Sequence, residues 1–365
     1  MRFAHIADPQ LGYVQYGLAA RASDFNSAFI FCMDEALRRK VDAVVFSGDL
    51  FEMSKPAGTY VELVQEQVRR LRSAGMDVLG IEGNHDSSGG KWLSVCGIHD
   101  LEAYPYVCQG VGFAGLGYRR ENAFLTDMAL YAVEYKEKIE VLVLHQSLLN
   151  RVPFSMIKAE DIIGLLKPRG LRHLAMGHIH TAYSFVVDGV SVVCPGSTEM
   201  TDIDEPREKY MAITELAPGR GEAVTELVRI PTRPIMHYIV ETEEELEKIC
   251  SELPESRASI LVAAVSAGLL DGQLRLTTAA DKGGVPYRLT SFNPQAAVQR
   301  AALGEARWDR SHGVVDLTRY VDRSFPDSAS DEHSLVGAML AAPANCASVM
   351  KNYITEKLRE LGYAE

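Results

Sequence analysis

The sequence predicts an α/β fold in which two packed sheets are flanked by helices. Apolar runs that read as strands alternate with helical patterns over residues 1–180, which is typical of parallel strands joined by helices. After Arg172 the pattern becomes mostly β, with short strands joined by the turns Asp188-Gly189 and Pro218-Gly219. Both patterns together fit two sheets in contact, with helices on their outer faces.

The individual elements follow from hydrophobic periodicity. Five apolar runs in the first half of the chain are consistent with buried strands: Phe3–Ala7, Ala43–Ser47, Val78–Ile81, Val141–Leu144 and Leu174–Met176. Two segments between them place their apolar residues on one helical face: Ala20–Arg39 and Thr59–Ala74. The later strands are predicted at Ser184–Val187, Ser191–Cys194, Tyr210–Glu215 and Ala223–Arg229.

A domain boundary is indicated by Pro231, Arg233 and Pro234, so we predict units at 1–232, 233–305 and 306–365. The middle unit is expected to be a small α+β domain whose acidic helix opens with a threonine cap. Its predicted elements are the strand Ile235–Glu241, the helix Thr242–Ser251 and the strands Ser259–Ser266, Leu274–Thr278 and Tyr287–Ser291. In the last unit, Ala344–Leu361 has its apolar residues on one helical face.

Composition describes an ordinary globular protein. The chain has 365 residues, of which 47% are apolar and 24% charged. No apolar run approaches the ~20 residues of a membrane span, and the N-terminus enters a strand without a signal sequence. Six cysteines are scattered without C-x-x-C pairing, which favours reduced thiols. We therefore expect a cytoplasmic protein with no membrane association.

The net charge of −12 bears on the choice of substrate. Proteins that bind DNA usually carry a basic excess, because phosphate contacts supply much of their affinity. One interpretation is that the chain binds no polymer. The other is that local basic residues surround the site and a partner supplies the remaining surface. The candidate phosphate contacts are then Arg119, Arg120, Arg151 and Arg207.

Polar side chains follow the five early strands at the point where each strand ends. The segments are Asp8, Gly48-Asp49, Gly83-Asn84-His85-Asp86, His145 and Gly177-His178-Ile179-His180. In open α/β sheets this edge is where ligands bind. Mixed oxygen and nitrogen ligands suit Mn²⁺, Fe²⁺, Zn²⁺ or a mixed pair. Asp49 directly follows Gly48, which permits a close approach of the backbone to a metal.

This order of segments resembles the calcineurin-like metallophosphoesterase superfamily, whose pattern is D-x-H, G-D, G-N-H-D or G-N-H-E, His and G-H-x-H. Only the first segment departs, with Asp8-Pro9-Gln10 in place of D-x-H. The stretch from Asp8 to Tyr16 is further similar to the D-x-H-L-G-Y-x-Q-Y signature of the nuclease subunit of the double-strand-break repair complex, which includes the SbcD-type nucleases. The segments R-x-x-D-F at Arg21, G-D-L-F at Gly48 and P-G-S-x-E at Pro195 add to this resemblance.

The resemblance implies a four-layer α/β/β/α sandwich with two divalent ions and a smaller α+β cap domain for DNA. Because this unit is only weakly basic, a purely structural module is the alternative. The resemblance assigns Asp8, Asp49 and His180 to one ion, with Gln10 where a histidine is expected, and Asp49, Asn84, His145 and His178 to the other. His85 would face the phosphate and protonate the leaving oxygen, with Asp86 orienting it. Mn²⁺ is the expected metal, with Fe²⁺, Zn²⁺ and Mg²⁺ as alternatives. Tyr13 and Tyr16 are candidates for substrate contact or for packing under the loop.

Three functions stay open on the sequence alone. The first is a DNA exo- or endonuclease, acting as a homodimer beside an SMC-like ABC ATPase. The resemblance implies that the C-terminal helical segment docks on the coiled coil of this ATPase, and the alternative is that the segment packs on its own chain or in a dimer contact. The second is a phosphodiesterase or phosphatase for nucleotides and other small molecules, which the acidic charge and Glu52 favour. The third is a degenerate subunit that binds DNA or a partner, which Gln10 favours because an amide is a weaker ligand than an imidazole.

Overall fold

The computed structural model describes residues 1–134, 138–149, 155, 157–203, 205–217, 223–253 and 259–292. The chain divides into two compact units, one from Met1 to Arg233 and one that begins at Pro234. The three-part division at 232 and 305 stays a prediction. The predicted helix Ala344–Leu361 lies outside the described residues. Within the described ranges, no helix combines the length and the apolar character that crossing a bilayer would need.

Two six-stranded sheets form the framework of the first unit. Numbered along the chain, the strands are β1 (Arg2–Ile6), β2 (Ala43–Ser47), β3 (Asp77–Ile81), β4 (His99–Asp100), β5 (Tyr106–Cys108), β6 (Val111–Leu116), β7 (Val141–His145), β8 (His173–Gly177), β9 (Tyr183–Val187), β10 (Val190–Cys194), β11 (Lys209–Glu215) and β12 (Val224–Ile230). The first sheet has the order β12-β11-β1-β2-β3-β4 and the second β5-β6-β7-β8-β10-β9. Strands β1 to β4 are parallel, as are β6 to β8, so each group ends on one edge of its sheet.

Helices cover the outer face of each sheet. The helices of this unit are α1 (Ala19–Arg39), α2 (Gly58–Ser73), α3 (Lys91–Cys96), α4 (Glu121–Glu134) and α5 (Ala159–Leu166). Apolar residues of α1 and α2, such as Phe29 and Val64, pack with Ile6 and Phe46 of the first sheet. A separate cluster joins α4 and α5 to the second sheet. The structure therefore has the predicted four-layer α/β/β/α arrangement.

The two sheets meet through the side chains that point away from the helices. Because side chains alternate along a strand, Ile6 faces α1 while Phe3 of the same strand faces the other sheet. Phe3 packs edge-on against Phe113, with ring centroids 5.4 Å apart. This central layer fixes the separation of the sheets, and so also the spacing of the strand ends that carry the polar segments.

The second unit is a small α/β module. It contains a three-stranded parallel sheet, β13 (Ile235–Val240), β14 (Ile260–Ser266) and β15 (Tyr287–Phe292), with the helices α6 (Glu243–Glu252) and α7 (Gly272–Gly283). Thr242 caps α6 through a reciprocal bond with Glu245, as its sequence predicted. The predicted strand Leu274–Thr278 is wrong, because these residues lie inside α7, where Leu276 packs in the core.

A buried arginine ties the start of α1 to the segment after β10. The guanidinium of Arg21 donates to Gln15 at 2.8 Å, to Asp24 at 2.9 Å and to the carbonyl of Met200 at 2.8 Å. It also lies 3.2 Å from the buried carboxylate of Glu199. The two motifs R-x-x-D-F and P-G-S-x-E therefore meet in one ion-pair network, which anchors the loop that follows β1.

Replacing Arg21 with Met should destabilise the protein by about 3–5 kcal/mol, because it leaves the buried Glu199 without its counter-charge. Asp24 keeps Arg233 as a partner, at 2.9 Å. The matched control is Arg38→Met, whose side chain is 66% exposed beside Glu35 and should cost less than about 1 kcal/mol. Urea denaturation measures both variants, and equal losses would contradict the assigned role of Arg21.

Candidate metal centre

The ends of three strands bring two carboxylates and an imidazole together. Asp8 follows β1, Asp49 follows β2 and His145 ends β7, and one ligand atom of each lies within 4.8 Å of the others. His145 Nε2 is 3.3 Å from Asp49 Oδ2 and 3.9 Å from Asp8 Oδ1. All three residues are buried. Both sheets thus contribute to one site whose donor atoms suit a divalent cation.

The backbone at this edge adopts a conformation that is costly for residues with a Cβ. Asp8, Gln10, Asp49 and His178 have φ values of 50°, 45°, 50° and 81°. Such left-handed conformations are uncommon outside glycine and concentrate at functional sites. The loops after β1 and β2 also run side by side, with Gln10 N donating to the carbonyl of Asp49 at 2.9 Å. The turns that aim these side chains into the site are therefore held by their neighbours.

Two glycines allow this close approach. Gly48 has a φ of 97°, and a Cβ at this position would lie 2.2 Å from His145 Nδ1. A Cβ on Gly83 would lie 2.0 Å from Asp49 Oδ1. Neither contact is possible for another residue without displacing a candidate ligand. The glycines in the G-D and G-N-H-D segments are thus explained by packing around the site.

A hydrogen bond between the sheets sets the orientation of His145. Its Nδ1–H donates to the carbonyl of Ser47 at 2.7 Å, which turns Nε2 toward Asp49 and places it 3.1 Å from Asn84 Oδ1. Burial opposes protonation, but the facing carboxylates of Asp49 and Asp8 raise the pKa of His145 to about 9. Metal binding at Nε2 would displace this proton.

The other candidate ligands differ in charge state. Burial would raise the pKa of Asp49, but the imidazoles of His145 and His85 hold that pKa well below its usual range. Burial raises the pKa of Asp8, although His145 and His180 oppose the shift. The pKa of His178 falls to about 3, mainly because the ring is buried. A neutral imidazole with a free lone pair is the form that binds metal.

Gln10 and His180 face the same small volume. The amide Nε2 of Gln10 is 3.2 Å from His180 Nε2, which in turn is 3.9 Å from Asp8 Oδ1. The Oε1 atom of Gln10 is buried and has no hydrogen-bond partner among the described residues. A buried acceptor left unpaired, on a side chain whose amide contacts the imidazole of His180, fits a cation site. The amide does not turn away toward solvent.

His85 is held by Glu52. Its Nδ1 donates to the carbonyl of Glu52 at 3.1 Å, and the Glu52 carboxylate lies 3.6 Å from the same nitrogen. Glu52, chiefly, raises the pKa of His85 to about 9. The ring is 37% exposed, and its Nε2 is 3.9 Å from Asp49 Oδ2. A partly exposed imidazolium therefore stands at the mouth of the site.

Asp86 does not orient His85 as the sequence led us to expect. Its carboxylate accepts hydrogen bonds from the backbone N–H groups of Gly83 at 2.8 Å, Leu50 at 2.7 Å and Phe51 at 3.3 Å. These bonds join the loop after β3 to the loop after β2. The correction has a simple cause, since Asp86 is buried beneath the loops while the His85 ring lies at the surface beside Glu52.

The candidate substrate contacts are mostly engaged in other interactions. The Tyr13 ring lies edge-on against Phe25 at 5.5 Å, and the Tyr16 hydroxyl is buried, which raises its pKa to about 12. These contacts favour packing under the loop. Arg119, a candidate phosphate contact, pairs with Glu102 and with Asp127 at 3.0 Å. Arg151 lies outside the described residues, and the side chains of Arg120 and Arg207 are exposed.

A cavity of about 460 Å³ adjoins the metal centre. Gly83 and Tyr118 line it on the side of the site, and the Tyr118 ring centroid is 5.4 Å from that of His178. The lining also includes the three carboxylates of Glu82, Asp100 and Glu102, and Arg119. The charged groups of the cavity are therefore predominantly acidic.

Sequence reasoning missed the residues that hold the ligands from behind. Ser47 supplies the carbonyl for His145, and Glu205 Oε1 lies 2.8 Å from His180 Nδ1. The buried amino group of Lys209 contacts Glu205 in turn, at 2.5 Å. The contacts of Ser47 and Glu205 with the two imidazoles join residues that are distant along the chain, so no local pattern marks either residue.

Substituting Gly83 with Ala should weaken metal binding while the protein stays folded. The new Cβ would collide with Asp49, so we expect Mn²⁺ affinity to fall at least tenfold, with a stability loss of about 1–3 kcal/mol. Isothermal titration with Mn²⁺ and urea denaturation measure the two effects. The control is Gly164→Ala in α5, where no atom lies within 4 Å of the added Cβ. Unchanged Mn²⁺ binding in Gly83→Ala would refute the steric argument.

Gln10 gives a second prediction. If its amide oxygen is a ligand, Gln10→Ala should weaken one ion, and Gln10→His should tighten that ion and raise turnover at limiting Mn²⁺. The gain should shrink as Mn²⁺ saturates, because a weak ligand lowers occupancy first. Titration of the metal-free variants with Mn²⁺ measures the affinity of the ion, and assays at limiting and saturating Mn²⁺ measure turnover. Gln65→Ala on α2 is the control in both measurements. The same titration curve for Gln10→Ala and the unmodified protein would show that Gln10 is no ligand.

Comparison with known proteins places the chain in a family. Residues 1–182 match the model of the calcineurin-like phosphoesterases. The chain is similar to proteins described as DNA double-strand break repair protein Mre11: that of Archaeoglobus fulgidus, with 28% identity over 85% of this chain and 74% of the relative, that of Haloferax volcanii, with 31% over 91% and 73%, and that of Saccharolobus solfataricus, with 29% over 58% and 57%.

The Haloferax alignment runs through nearly the whole chain, and the motifs that carry the metal centre lie in the matched phosphoesterase region. The recognition made from the sequence motifs is thereby confirmed. The chain belongs to the calcineurin-like phosphoesterases and, among them, to the family of the Mre11 double-strand break repair proteins.

Proposed function

We propose that the protein is a metal-dependent phosphodiesterase that cleaves DNA at broken ends. The observation that carries this proposal is the cluster of Asp8, Asp49 and His145, whose ligand atoms lie within 4.8 Å of one another at the edge shared by both sheets. Membership of the Mre11 family supports DNA as the substrate. Mn²⁺ is the metal that we propose, because carboxylate, amide and imidazole donors together suit it.

The proposed roles follow the positions of the side chains. Asp49 would be shared, because its carboxylate lies near both Asp8 and His145, which this scheme assigns to different ions. The first ion would be held by Asp8, Gln10 and His180, and the second by Asn84, His145 and His178. Two bound divalent cations supply Lewis acidity there, which makes water nucleophilic near neutral pH and offsets the phosphate charge.

His85 is the proposed proton donor. Its Nδ1 is fixed by the carbonyl of Glu52, so Nε2 is the nitrogen that faces Asp49 and the opening of the site. An imidazolium in this position can donate a proton to the oxygen that leaves the phosphorus atom, or stabilise its charge. Asp86 would contribute indirectly, by holding the backbone just before Asn84 and just after Asp49.

We further propose that the protein acts as a homodimer with an SMC-like ABC ATPase of the SbcC type. The repair function in the names of the relatives and the overall charge of −12 support this proposal, since an acidic subunit needs another surface to hold DNA. The C-terminal helical segment is the proposed contact with the coiled coil. The cytoplasm is the proposed compartment, which agrees with the free thiols among the described cysteines.

A second candidate function is the hydrolysis of small phosphodiesters such as nucleotides. The cavity beside Gly83 and Tyr118 favours it, because a volume of about 460 Å³ admits a small molecule, and its carboxylates oppose a polyanion with many phosphates more than a ligand with one. Glu52, next to His85, adds a further negative group at the opening.

The purified protein with Mn²⁺ should hydrolyse bis-para-nitrophenyl phosphate and degrade linear duplex DNA. Asp49→Ala should reduce both activities to background, because it removes the shared ligand. The control is Asp34→Ala on the outer face of α1, where the carboxylate is exposed and pairs only with Arg70 among its described contacts. Its activity should equal that of the unmodified protein.

A substrate panel distinguishes the alternatives. Cleavage of cyclic nucleotides or phosphomonoesters in preference to single-stranded and duplex DNA would favour the small-molecule enzyme. Failure to cleave any of these substrates, with two ions bound per chain, would refute a phosphodiesterase. Fewer than two ions per chain under saturating Mn²⁺ would instead support a degenerate subunit, as the glutamine at position 10 suggests.

A further inference from the structure

The outer nitrogen of His180 is Nδ1, which points away from Asp8 and Gln10, and it contacts two polar side chains. His180 Nδ1 lies 2.8 Å from Glu205 Oε1 and 2.7 Å from Thr201 Oγ1. The Thr201 hydroxyl also donates to the same carboxylate oxygen. Because Glu205 can only accept, Nδ1 carries the proton, and the lone pair of His180 lies on Nε2, which faces Asp8 and Gln10.

Glu205 is itself fixed by a buried cation. Lys209 Nζ lies 2.5 Å from Glu205 Oε2, and it also donates to Ser197 Oγ at 2.9 Å and to the carbonyl of His180 at 3.1 Å. Lys209 is buried, so the carboxylate and the ammonium compensate each other away from water. The backbone N–H of Thr201 also donates to Glu205 Oε2, at 3.2 Å. The carboxylate is thus immobilised on the far side of the imidazole.

The weakest ligand of the proposed site lies against the same imidazole. Gln10 Nε2 is 3.2 Å from His180 Nε2, and Gln10 Oε1 is buried without a partner among the described residues. A neutral amide oxygen at this position supplies less electron density to a cation than an imidazole would. Any compensation has to come from the ligands that share this volume, and His180 is the one with a charged group behind it.

We propose that Glu205 is the positioning residue of His180 and that its carboxylate compensates for the imidazole missing at Gln10. A carboxylate that accepts a hydrogen bond from the outer nitrogen fixes the ring and makes the inner nitrogen more basic, which strengthens its bond to a metal. Lys209 and Thr201 hold the carboxylate in place. This inference rests on the proposed function, in which His180 binds an ion.

The test is titration of the full-length, metal-free protein with Mn²⁺, which measures binding and does not depend on activity. Glu205→Gln keeps the shape of the side chain and removes its charge. We expect the weaker of the two ions to bind about 10–100-fold less tightly, which is the usual effect of losing such a partner, while the tighter ion is unaffected. Glu208→Gln is the matched control, since its exposed carboxylate contacts only Tyr210 and Arg229 among its described partners.

A double-mutant cycle tests the compensation itself. If Glu205 substitutes for a missing imidazole, the penalty of Glu205→Gln should shrink when Gln10→His restores that imidazole. An equal penalty in both backgrounds would overturn the compensation, and an unchanged titration of Glu205→Gln would overturn the positioning role.

Two further variants keep the outcome interpretable. Glu205→Gln leaves Lys209 buried and unpaired, so the double variant Glu205→Gln with Lys209→Met removes both charges and should lose the same ion if the single variant fails to fold. Unmodified Mn²⁺ affinity in that folded double variant would overturn the proposal. His180→Ala distinguishes a failure of the proposed function from a failure of this inference. If this variant binds both ions normally, the ligand assignment of the proposed function is wrong. If it loses an ion that Glu205→Gln retains, only the role of Glu205 is wrong.

Discussion

The metal centre depends on one hydrogen bond between the two sheets. His145, at the end of β7, donates through Nδ1 to the carbonyl of Ser47, at the end of β2. This bond needs two strands of different sheets to end almost in contact, which Gly48 and Gly177 permit, since a Cβ on Gly177 would lie 2.2 Å from the same carbonyl oxygen. This contact also positions two other candidate ligands, because Asp49 lies two residues beyond Ser47 and His178 follows Gly177 directly.

Packing elsewhere in the unit maintains this contact. The aromatic layer of Phe3 and Phe113 sets the distance between the sheets, and the helices bury their outer faces. Around the site, hydrogen bonds of buried charged groups hold the segments together. Asp86 joins two loops through backbone N–H groups, and Arg21 joins α1 to the segment after β10. Each of these charges is buried with partners, which is the condition under which burial of charge is tolerated.

The layered fold could be predicted from the sequence, because its strands are strongly apolar and its helices periodic. The convergence of Asp8, Asp49 and His145 could also be predicted, because each lies at or just beyond the end of a strand. The other ligand assignments stay predictions. The predicted strand at Leu274–Thr278 was wrong because five residues with alternating apolar positions fit either a strand or a turn of helix. In the folded protein, the helical form buries Leu276 in the core. Asp86, Arg119 and Glu205 could not be assigned from local patterns. Their partners are remote in the chain, so only the folded structure brings Leu50, Glu102 or His180 beside them.

The left-handed backbone at Asp8, Gln10, Asp49 and His178 has a consequence for protein engineering. These four conformations cost free energy that the cores of the unit must supply, and glycine would adopt them without that cost. A screen that rewards only thermal resistance would therefore accept glycine at these positions, although each such change removes a candidate ligand. Laboratory evolution of this protein toward heat tolerance therefore has to include a selection for metal binding. Without it, the most thermostable variants are expected to be ones that no longer bind metal.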